Sequence, residues 1–440
     1  MEIEKRYLSL PLTAQLEITD MCNHRCIHCY NLDSEIKNRP NRIVEDETVL
    51  ACAQKLIDNN VFGVIITGGE PLLKKTLTKK IIRLFRDNTI HVSLNTNLIL
   101  LDDDWIIFLK EQNISVLTSC PSGNSLSYKA LVGVDNFKCF ETNIKKLVES
   151  GVRFSVNMVI TKDNLNEIIP TAEKMKSLGC NSFAATPMGL NVEYPRLDLL
   201  LSVEEVRQVI LKLVWIENNL KLKVDILEAL PKCVFPEYIL LEKHSFLNRK
   251  CQAGRTVIAV SCNGDVRPCA HNPYSYGNIL KEDLRGIWQR MNKWRSAQYI
   301  PSDCQSCSWV NRCNGGCRTS AKVYNGDWDK NDVWCVGSLN TIPPVINLKR
   351  IDLSKFTRLQ INSHIKTRKE DEYVYVVYNV VDDVSFMVNQ EYYDFIMSLE
   401  RYTDISYGDL CREFNMSITD DNLKNAVLYL IAKKIVKILN

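Results

Sequence analysis

Short apolar runs alternate with longer amphipathic runs between residues 14 and 220, and this alternation allows few folds. The apolar runs predict six strands, at 14–19, 62–67, 90–96, 114–119, 153–161 and 181–187. The amphipathic runs predict helices at 45–60, 76–88, 102–112, 136–151 and 165–179, with another at 202–220. Strands that are separated by helices pair in parallel. The pattern therefore predicts an α/β fold with a parallel sheet, which is open or curled into a partial barrel.

Residues able to carry chemistry follow the ends of these predicted strands. Cys22, Cys26 and Cys29 follow the first strand, and the sequence GGEP at 68–71 follows the second. Other polar positions lie at the ends of the third and fourth strands and within the fifth: Asn95, Asn97, Ser119 and Asn157. Functional groups of parallel sheets gather at the carboxyl ends of the strands. We therefore expect all of these residues at one edge of the sheet.

The stretch MCNHRCIHCY at 21–30 spaces its cysteines as C-x3-C-x2-C. Three thiolates at this spacing can hold three irons of an iron–sulfur cube and leave the fourth iron free. The alternative is a zinc site, which would need a fourth ligand such as His24 or His28. Both interpretations predict a metal centre in the loop after the first strand.

Cysteine usage extends this metal-binding prediction to the rest of the chain. There are 17 cysteines, three of them at 22–29 and eight at 251–335. In a reducing compartment such groups are metal ligands or catalytic residues rather than disulfides. The other six are scattered, and we expect most to be small core residues: Cys52, Cys120, Cys139, Cys180, Cys233 and Cys411.

The first residues, the length of the apolar runs and the net charge bear on where the protein is located and on what it binds. The first residues, MEIEKRYLSL, lack the apolar core of a signal peptide, and no apolar run reaches membrane-spanning length. A net charge of +3 is too small to require nucleic acid or a membrane surface as a partner. The sequence therefore predicts a cytoplasmic protein that binds neither.

The three-cysteine loop together with GGEP resembles the radical S-adenosylmethionine (radical SAM) enzymes, over roughly residues 10–225. The resemblance implies a [4Fe-4S] cluster on Cys22, Cys26 and Cys29, the expected catalytic residues, with S-adenosyl-L-methionine on the open iron. It implies reductive cleavage of that cofactor to a 5′-deoxyadenosyl radical, which abstracts a hydrogen atom from the substrate. An electron donor such as flavodoxin or ferredoxin is expected as a partner.

The resemblance also implies contacts to S-adenosylmethionine. The expected cofactor-binding residues are His28, Gly68, Gly69, Glu70, Asn95, Asn97, Ser119 and Asn157. The glycines and the glutamate should lie along the methionine amino group, because residues without a β-carbon let the backbone approach closely. The His28 backbone should meet the adenine. Where many relatives carry an aspartate after the fourth strand, this chain has TSCPSGNS at 118–125.

A second cysteine pattern begins at Cys251. It comprises C-x12-G-x4-C from Cys251 to Cys269, then C-x2-C-x5-C-x3-C from Cys304 to Cys317, then Cys335. Seven cysteines in this order resemble the SPASM domain, which carries auxiliary iron–sulfur clusters. The alternative is a zinc-ribbon-like structural fold.

The SPASM resemblance implies two auxiliary clusters with interleaved ligands. One would be held by Cys304, Cys307, Cys313 and Cys335, and the other by Cys251, Cys269 and Cys317. A fourth ligand for the second cluster would be Cys233 or Cys262, although buried thiols are the favoured interpretation of both. Without a fourth ligand, one iron is open and can bind a substrate thiolate.

Three domains are expected: a radical SAM partial (β/α)6 TIM-type barrel at 1–225, a SPASM domain at 226–345, and a small α+β module at 346–440. In the last, strands are predicted at 357–368, 372–381 and 384–389, and helices at 390–402, 406–415 and 420–439. This order resembles winged-helix elements that bind leader peptides by adding a strand to a sheet edge. A plain structural or oligomerisation module is the alternative.

The domain combination suggests a radical SAM maturase of a ribosomally synthesised peptide. Its product would be a thioether between a cysteine sulfur and a carbon, or a carbon–carbon crosslink. One alternative is side-chain oxidation to formylglycine by a sulfatase maturase, but those relatives carry an aspartate where this chain has Ala270. The other alternative is a non-catalytic iron–sulfur scaffold or sensor.

Overall fold

The computed structural model describes residues 8–31, 44–242, 244–341, 353–362, 365–379 and 384–439. The chain divides into two compact units, Leu10–Pro343 and a second made of Met1–Ser9 with Pro344–Asn440. In the parts of the chain that are described, no helix is both long and apolar enough to cross a membrane.

The larger unit is built on one nine-stranded sheet. Its strands are β1 (Thr13–Glu17), β2 (Gly63–Thr67), β3 (His91–Thr96), β4 (Ser115–Ser119), β5 (Phe154–Ile160), β6 (Ser182–Pro187), β7 (Lys223–Asp225), β8 (Val257–Val260) and β9 (Val266–Arg267). Their order is β7-β6-β5-β4-β3-β2-β1-β8-β9. All neighbours pair in parallel except β8 and β9. The sheet is open, and the predicted α/β partial barrel is confirmed.

The two faces of this sheet differ in polarity. In register across four strands, the buried side chains are Leu16, Ile66, Leu94 and Val116. The alternate positions are more polar and half-buried or exposed, as at Ser93 and Ser119. Side chains such as Ser93 and Ser119 therefore give the sheet a more polar and less buried face.

In the described residues, seven helices follow or connect the parallel strands: α1 (Asp46–Asp58), α2 (Lys75–Asp87), α3 (Asp103–Glu111), α4 (Ser125–Val132), α5 (Phe137–Ser150), α6 (Ile168–Ser177) and α7 (Val203–Leu220). Six of them agree with the predicted helices to within a few residues. Neither α4 nor the three-residue β7 was predicted. Helix α4 is only eight residues long, too short for an amphipathic period to be distinguished in sequence.

The cysteine-rich region combines short helices with a core of its own. Its helices are α8 (Glu237–Leu240), α9 (Leu284–Arg290), α10 (Asn292–Arg295), α11 (Val310–Cys313) and α12 (Arg318–Asn325). Trp288, Trp309 and Trp334 are almost completely buried there. Large buried aromatic side chains therefore form a core beside the cysteines.

The described part of the smaller unit contains six strands and three helices. The strands are β10 (Arg358–Ile361), β11 (Ile365–Asp371), β12 (Val374–Asn379), β13 (Val384–Asn389), β14 (Asp404–Ser406) and β15 (Val436–Leu439), and the helices are α13 (Gln390–Leu399), α14 (Tyr407–Glu413) and α15 (Asp421–Ala432). They form two antiparallel sheets, β14-β10-β15 and β11-β12-β13. One hydrophobic core joins both sheets and the helices, with Leu359, Phe386 and Val427 fully buried.

Three details of the predicted module are wrong. The run 357–368 is two strands, β10 and β11, which belong to different sheets. Strand β14 was not predicted. The last helix ends at Ala432 instead of 439, because Lys434 adopts a left-handed backbone conformation with φ of 58° and β15 follows it.

Candidate active site and auxiliary cysteine groups

The loop that carries Cys22, Cys26 and Cys29 continues from β1 and is bound to the segment after β2. The Gly69 amide donates to the Thr19 carbonyl at 2.7 Å, and the Glu70 amide donates to the Met21 carbonyl at 2.8 Å. These bonds extend the pairing of β1 with β2 beyond the ends of both strands. The GGEP segment therefore fixes the path of the chain into the first cysteine.

The two glycines are required by this close backbone approach. A β-carbon on Gly69 would lie 2.0 Å from the Met21 carbonyl oxygen, and one on Gly68 would lie 2.5 Å from the Thr19 oxygen. Gly68 also has φ of 125°, which L-residues with side chains rarely adopt. The sequence predicted a close backbone approach here, and the structure identifies the cysteine loop itself as one partner.

Glu70 organises the end of β3. Its side chain is 1% exposed, and the carboxylate accepts hydrogen bonds from the Leu72 amide at 2.9 Å, the Thr96 hydroxyl at 2.7 Å and the Asn97 amide at 2.8 Å. Burial raises the pKa of Glu70, while these three donors lower it. The carboxylate is thus engaged within the protein and positions the strand end that lies beside the cysteine loop.

The other predicted polar contacts fall into two classes. Asn97 donates from Nδ2 to Asn23 Oδ1 at 2.7 Å, which ties the β3 end to the cysteine loop. Asn157 accepts from the Thr186 hydroxyl at 2.7 Å. By contrast, Asn95 is half-buried and Ser119 is exposed, both on the polar face of the sheet. Neither side chain hydrogen-bonds to another described residue, so both are available to a ligand.

The far side of the cysteine loop is held by elements that sequence reasoning missed. The Arg25 amide donates to the Val132 carbonyl at 2.8 Å, at the end of α4. The Asn191 side chain donates to the Tyr30 carbonyl at 2.7 Å, and the Arg196 guanidinium donates to the Ile27 carbonyl at 2.9 Å. No sequence motif signalled these contacts, since they bring together residues more than a hundred positions apart.

The two histidines of the loop do not complete a zinc site. His24 Nε2 is 3.0 Å from Asn136 Nδ2, and its ring packs edge-on against Tyr128. Burial lowers the pKa of both His24 and His28 to about 4. Within the ranges that the structure describes, no three His, Cys, Asp or Glu side chains converge on one ion position. A single zinc would require such convergence, because its ligands lie about 2–2.3 Å from the metal.

The donor set of the loop fits an iron–sulfur cluster. Burial raises the pKa of Cys22 to about 11 and raises that of Cys26 and Cys29. Binding a metal replaces the protons of such thiols, because the thiolate is the form that ligates metals. Backbone amides of His24 and Asn31 each approach a cysteine sulfur at 3.4 Å, as amides do around the sulfurs of such clusters.

A second group of thiols contains five cysteines rather than the predicted four. One small pocket is lined by Cys233, Cys304, Cys307, Cys313 and Cys335. The Sγ atoms of Cys233 and Cys335 are 3.6 Å apart. Amides of Lys232 and Leu339 donate to Cys313 and Cys307, each at 3.3 Å. The donor set fits a fully ligated cluster, with Cys233 as a fifth thiol beside it.

The third group gathers at the start of α12. Cys317 is the residue before this helix, and the Cys251 thiol accepts a hydrogen bond from the Arg318 amide. Cys269 Sγ lies 3.9 Å from the Thr319 hydroxyl. Cys317 is buried while Cys251 and Cys269 are half-buried, and desolvation raises the pKa values of all three thiols. The positive end of a helix dipole favours the negative charge that a thiolate-bound cluster carries.

Neither predicted fourth ligand joins this third group. Cys233 lies in the five-cysteine group. Cys262 is buried at the end of β8, where its sulfur is 3.5 Å from Asp20 Oδ1 beside the first cysteine loop. Both suggested assignments to the cluster of Cys251, Cys269 and Cys317 are therefore wrong, and the buried-thiol interpretation holds for Cys262.

Comparison with known protein families finds two domains in this chain. The model of the Radical SAM superfamily matches residues 16–175, and that of the SPASM iron–sulfur cluster-binding domain matches residues 251–314. The two matches include all three cysteines of the first loop and the start of the second pattern.

Among curated proteins, the chain is similar to the AdoMet-dependent heme synthase of Methanosarcina barkeri, with 26% identity over 73% of this chain and 95% of that protein. It is also similar to the antilisterial bacteriocin subtilosin biosynthesis protein AlbA of Bacillus subtilis, with 28% identity over 73% and 72% of the two chains. Among solved structures, Streptococcus suis SuiB bound to precursor peptide SuiA gives a TM-score of 0.60 at 20% identity, over 76% and 77% of the two chains. That likeness shows the fold.

Proposed function

Because the chain is a radical SAM enzyme with a SPASM iron–sulfur domain, we propose that it matures a ribosomally synthesised precursor peptide. The observation that carries the proposal is the three-cysteine loop held by hydrogen bonds on both sides, accompanied in the same compact unit by two further groups of buried and half-buried thiols. The similarity to AlbA over 73% of the chain supports a peptide substrate.

The bound cluster and S-adenosylmethionine supply one-electron chemistry that produces a hydrogen-abstracting radical. The protein holds Cys22, Cys26 and Cys29 in position through the GGEP segment and α4. Asn95 and Ser119 lie on the polar face of the sheet without partners among the described side chains, which supports a role in binding the cofactor. Asn97 and Glu70 act as positioning residues, since their side chains connect the β3 end to the loop.

The product that we propose is a crosslink, either a thioether from a cysteine sulfur or a carbon–carbon bond. The substrate carbon loses one hydrogen atom to the radical, and the coupling partner loses a proton. The remaining electron passes to an auxiliary cluster. We propose that each of the two other cysteine groups holds one such cluster. An external donor such as flavodoxin or ferredoxin completes the electron balance for each cleavage.

The smaller unit is the proposed binding site of the leader segment of the precursor. The predicted strand 372–381 corresponds to the central strand β12, which already pairs on both sides, so an added strand would need β11 or β13. Strand β11 carries five charged residues, Lys366, Arg368, Lys369, Glu370 and Asp371. Strand β13 carries none. Charged edge strands resist pairing with another chain, so the uncharged β13 is the favoured edge.

Two other substrates are candidates. The heme synthase likeness, which extends over the same share of the chain, supports a tetrapyrrole substrate. Oxidation of the sulfatase-maturase type is the second, but Ala270 offers no base at the position where those enzymes carry an aspartate. The uncharged edge of β13 favours a polypeptide over a tetrapyrrole, because strand addition requires a peptide backbone.

The test is anaerobic reconstitution with iron and sulfide, followed by dithionite and S-adenosylmethionine. We expect 5′-deoxyadenosine from the wild type, none from Cys22/Cys26/Cys29→Ala, and wild-type amounts from the control Cys180→Ala, which changes a buried thiol outside the three groups. A candidate precursor, encoded by a short reading frame beside the gene, should lose two hydrogen atoms in mass. A fully iron-loaded wild type that forms no 5′-deoxyadenosine would contradict the proposal.

A further inference from the structure

A carboxylate lies beside the three thiols at the start of α12. Glu228 is in the loop after β7, and its Oε2 is 3.0 Å from the position that a β-carbon on Gly189 would occupy. His271 Nδ1 is 2.7 Å from that same position, and the His271 amide hydrogen-bonds to the Cys269 sulfur. The absence of a side chain at Gly189 thus leaves the space into which Glu228 extends, next to the Cys269 segment.

The Glu228 carboxylate acts electrostatically on every thiol of this group. Its negative charge raises the thiol pKa values of Cys251, Cys269 and Cys317. For Cys317 it has the largest effect of any neighbouring charge. Its side chain makes no hydrogen bond or ion pair with any residue in the described parts of the chain. Once metal binding turns the three cysteines into thiolates, an adjacent carboxylate is unfavourable without a cation, since like charges repel in a poorly solvated site.

The other candidate ligands around this group are either engaged elsewhere or, like His271, are not anionic. Asp332 accepts the Cys317 amide with Oδ2 at 2.7 Å and the Trp334 amide with Oδ1 at 2.9 Å. The ring of His271 packs against Tyr30, with centroids 4.6 Å apart. Cys233 and Cys262 lie with other groups, as described above. Glu228 is therefore the one anionic side chain near all three thiols that has no partner of its own in the described structure.

The geometry points to Glu228 as the fourth ligand of the iron–sulfur cluster held by Cys251, Cys269 and Cys317. This inference rests on the proposed function in one respect, namely that these cysteines hold an auxiliary cluster. The carboxylate oxygen would bind the iron that three cysteines leave open. Oxygen is a harder ligand than thiolate and binds iron less strongly in such sites, so a substrate cysteine can displace it. In the resting enzyme every iron of this cluster then has a protein ligand, and a substrate cysteine binds by displacing Glu228 from one iron.

The experiment uses the full-length, reconstituted chain grown with glutamate labelled with carbon-13 at the side-chain carboxyl. These measurements are made on the Cys22/Cys26/Cys29→Ala variant, which lacks the signal of the first cluster. They are repeated on the chain with those three cysteines intact, in case the variant does not fold. Electron–nuclear double resonance of the reduced protein should detect a carbon-13 coupling. Glu228→Gln should abolish this coupling, and Glu237→Gln, an exposed acidic residue in α8, should leave it unchanged.

Two further readouts separate ligation from mere proximity. Glu228→Gln removes an anionic ligand, so the midpoint potential of one cluster should become more positive with no change in iron content. Glu228→Cys should keep the cluster but should show no carbon-13 coupling. A small thiol such as 2-mercaptoethanol should perturb the Glu228→Gln spectrum at lower concentrations than the wild-type spectrum.

The inference is overturned if the wild type gives no carbon-13 coupling and binds the thiol as readily as Glu228→Gln does. That result would mean an open iron in the resting enzyme. Failure of the proposed function is a separate outcome, because it would appear as missing 5′-deoxyadenosine or an unaltered peptide from a protein whose clusters are complete.

Discussion

At the scale of single residues, the GGEP segment shows what a short motif conveys and what it leaves out. The glycines were predicted to allow close backbone approach, and a β-carbon at either position would indeed collide with backbone. Sequence could not identify the carbonyl oxygens of Thr19 and Met21 as the partners, because that contact arises only when β1 and β2 pair. Likewise Glu70 was expected along a ligand, and its carboxylate instead accepts three donors from the protein.

Gly69→Ala tests this requirement for a bare backbone. The new β-carbon would sit 2.0 Å from the Met21 oxygen, so the cysteine loop must shift, at a cost of about 3 kcal/mol. We expect a lower urea midpoint and loss of 5′-deoxyadenosine formation. The matched control is Gly286→Ala in α9, where nothing lies within 4 Å of the added carbon. It should raise stability by about 0.5–1 kcal/mol, and equal effects of the two changes would contradict the argument.

At the scale of secondary-structure elements, the long repeating pattern was predicted well and the short elements were not. Strands β1 to β6 are short, largely apolar runs, and a predicted helix follows each of them along the chain. Strands β7 and β14 have three residues each, and β15 continues directly from a helical pattern. Their pairing depends on partners distant in sequence, and no glycine marks the helix end at Lys434, so local pattern could not reveal them.

The ion pair between β1 and β9 connects the parallel sheet to the cysteine-rich region. Glu17 and Arg267 form a salt bridge with both side chains largely buried. Burial raises the pKa of Glu17 although Arg267 acts to lower it. Arg267→Met leaves that carboxylate buried without its partner, which costs about 3–5 kcal/mol. Urea denaturation measures this cost.

The control for the buried pair is Arg358→Met, which breaks an exposed salt bridge with Asp404. Those side chains are 60% and 41% exposed, and solvent-exposed pairs contribute about 0–1 kcal/mol. If Arg267→Met changes the midpoint no more than Arg358→Met does, the buried pair does not stabilise the junction of β1 with β9.

The uncharged edge of β13 makes leader binding testable at the same scale. Val384→Lys introduces a charge on that edge, which disfavours pairing with an added strand. We expect the affinity for a synthetic leader peptide to fall roughly fivefold to tenfold, measured by fluorescence anisotropy, with the circular dichroism spectrum unchanged. Thr367→Lys on the opposite edge, β11, is the control. Weaker binding in the control alone would assign the leader to β11.

At the scale of the whole molecule, the cysteines divide between the two compact units very unequally. All three thiol groups lie in Leu10–Pro343, and the smaller unit contains only Cys411, which is buried in its hydrophobic core. The grouping of the cysteines followed from spacing in the sequence. The membership of Cys233 and the approach of Glu228 did not, because the loops before Cys251 reach their groups only through the folded sheet.

This division predicts separable activities. A chain that ends at residue 343 keeps every residue of the three thiol groups and of the polar sheet face. We expect it to form 5′-deoxyadenosine at the wild-type rate per bound iron in the absence of peptide, and to modify the precursor at least tenfold more slowly when peptide is below the wild-type KM, because the leader no longer contributes binding energy. Chromatography and mass spectrometry measure the two rates.

Adding excess core peptide should restore part of the modification, since the leader contributes local concentration rather than chemistry. A truncated enzyme that modifies the precursor as fast as the full chain would exclude leader binding by the smaller unit, and the uncharged edge of β13 would then need another partner.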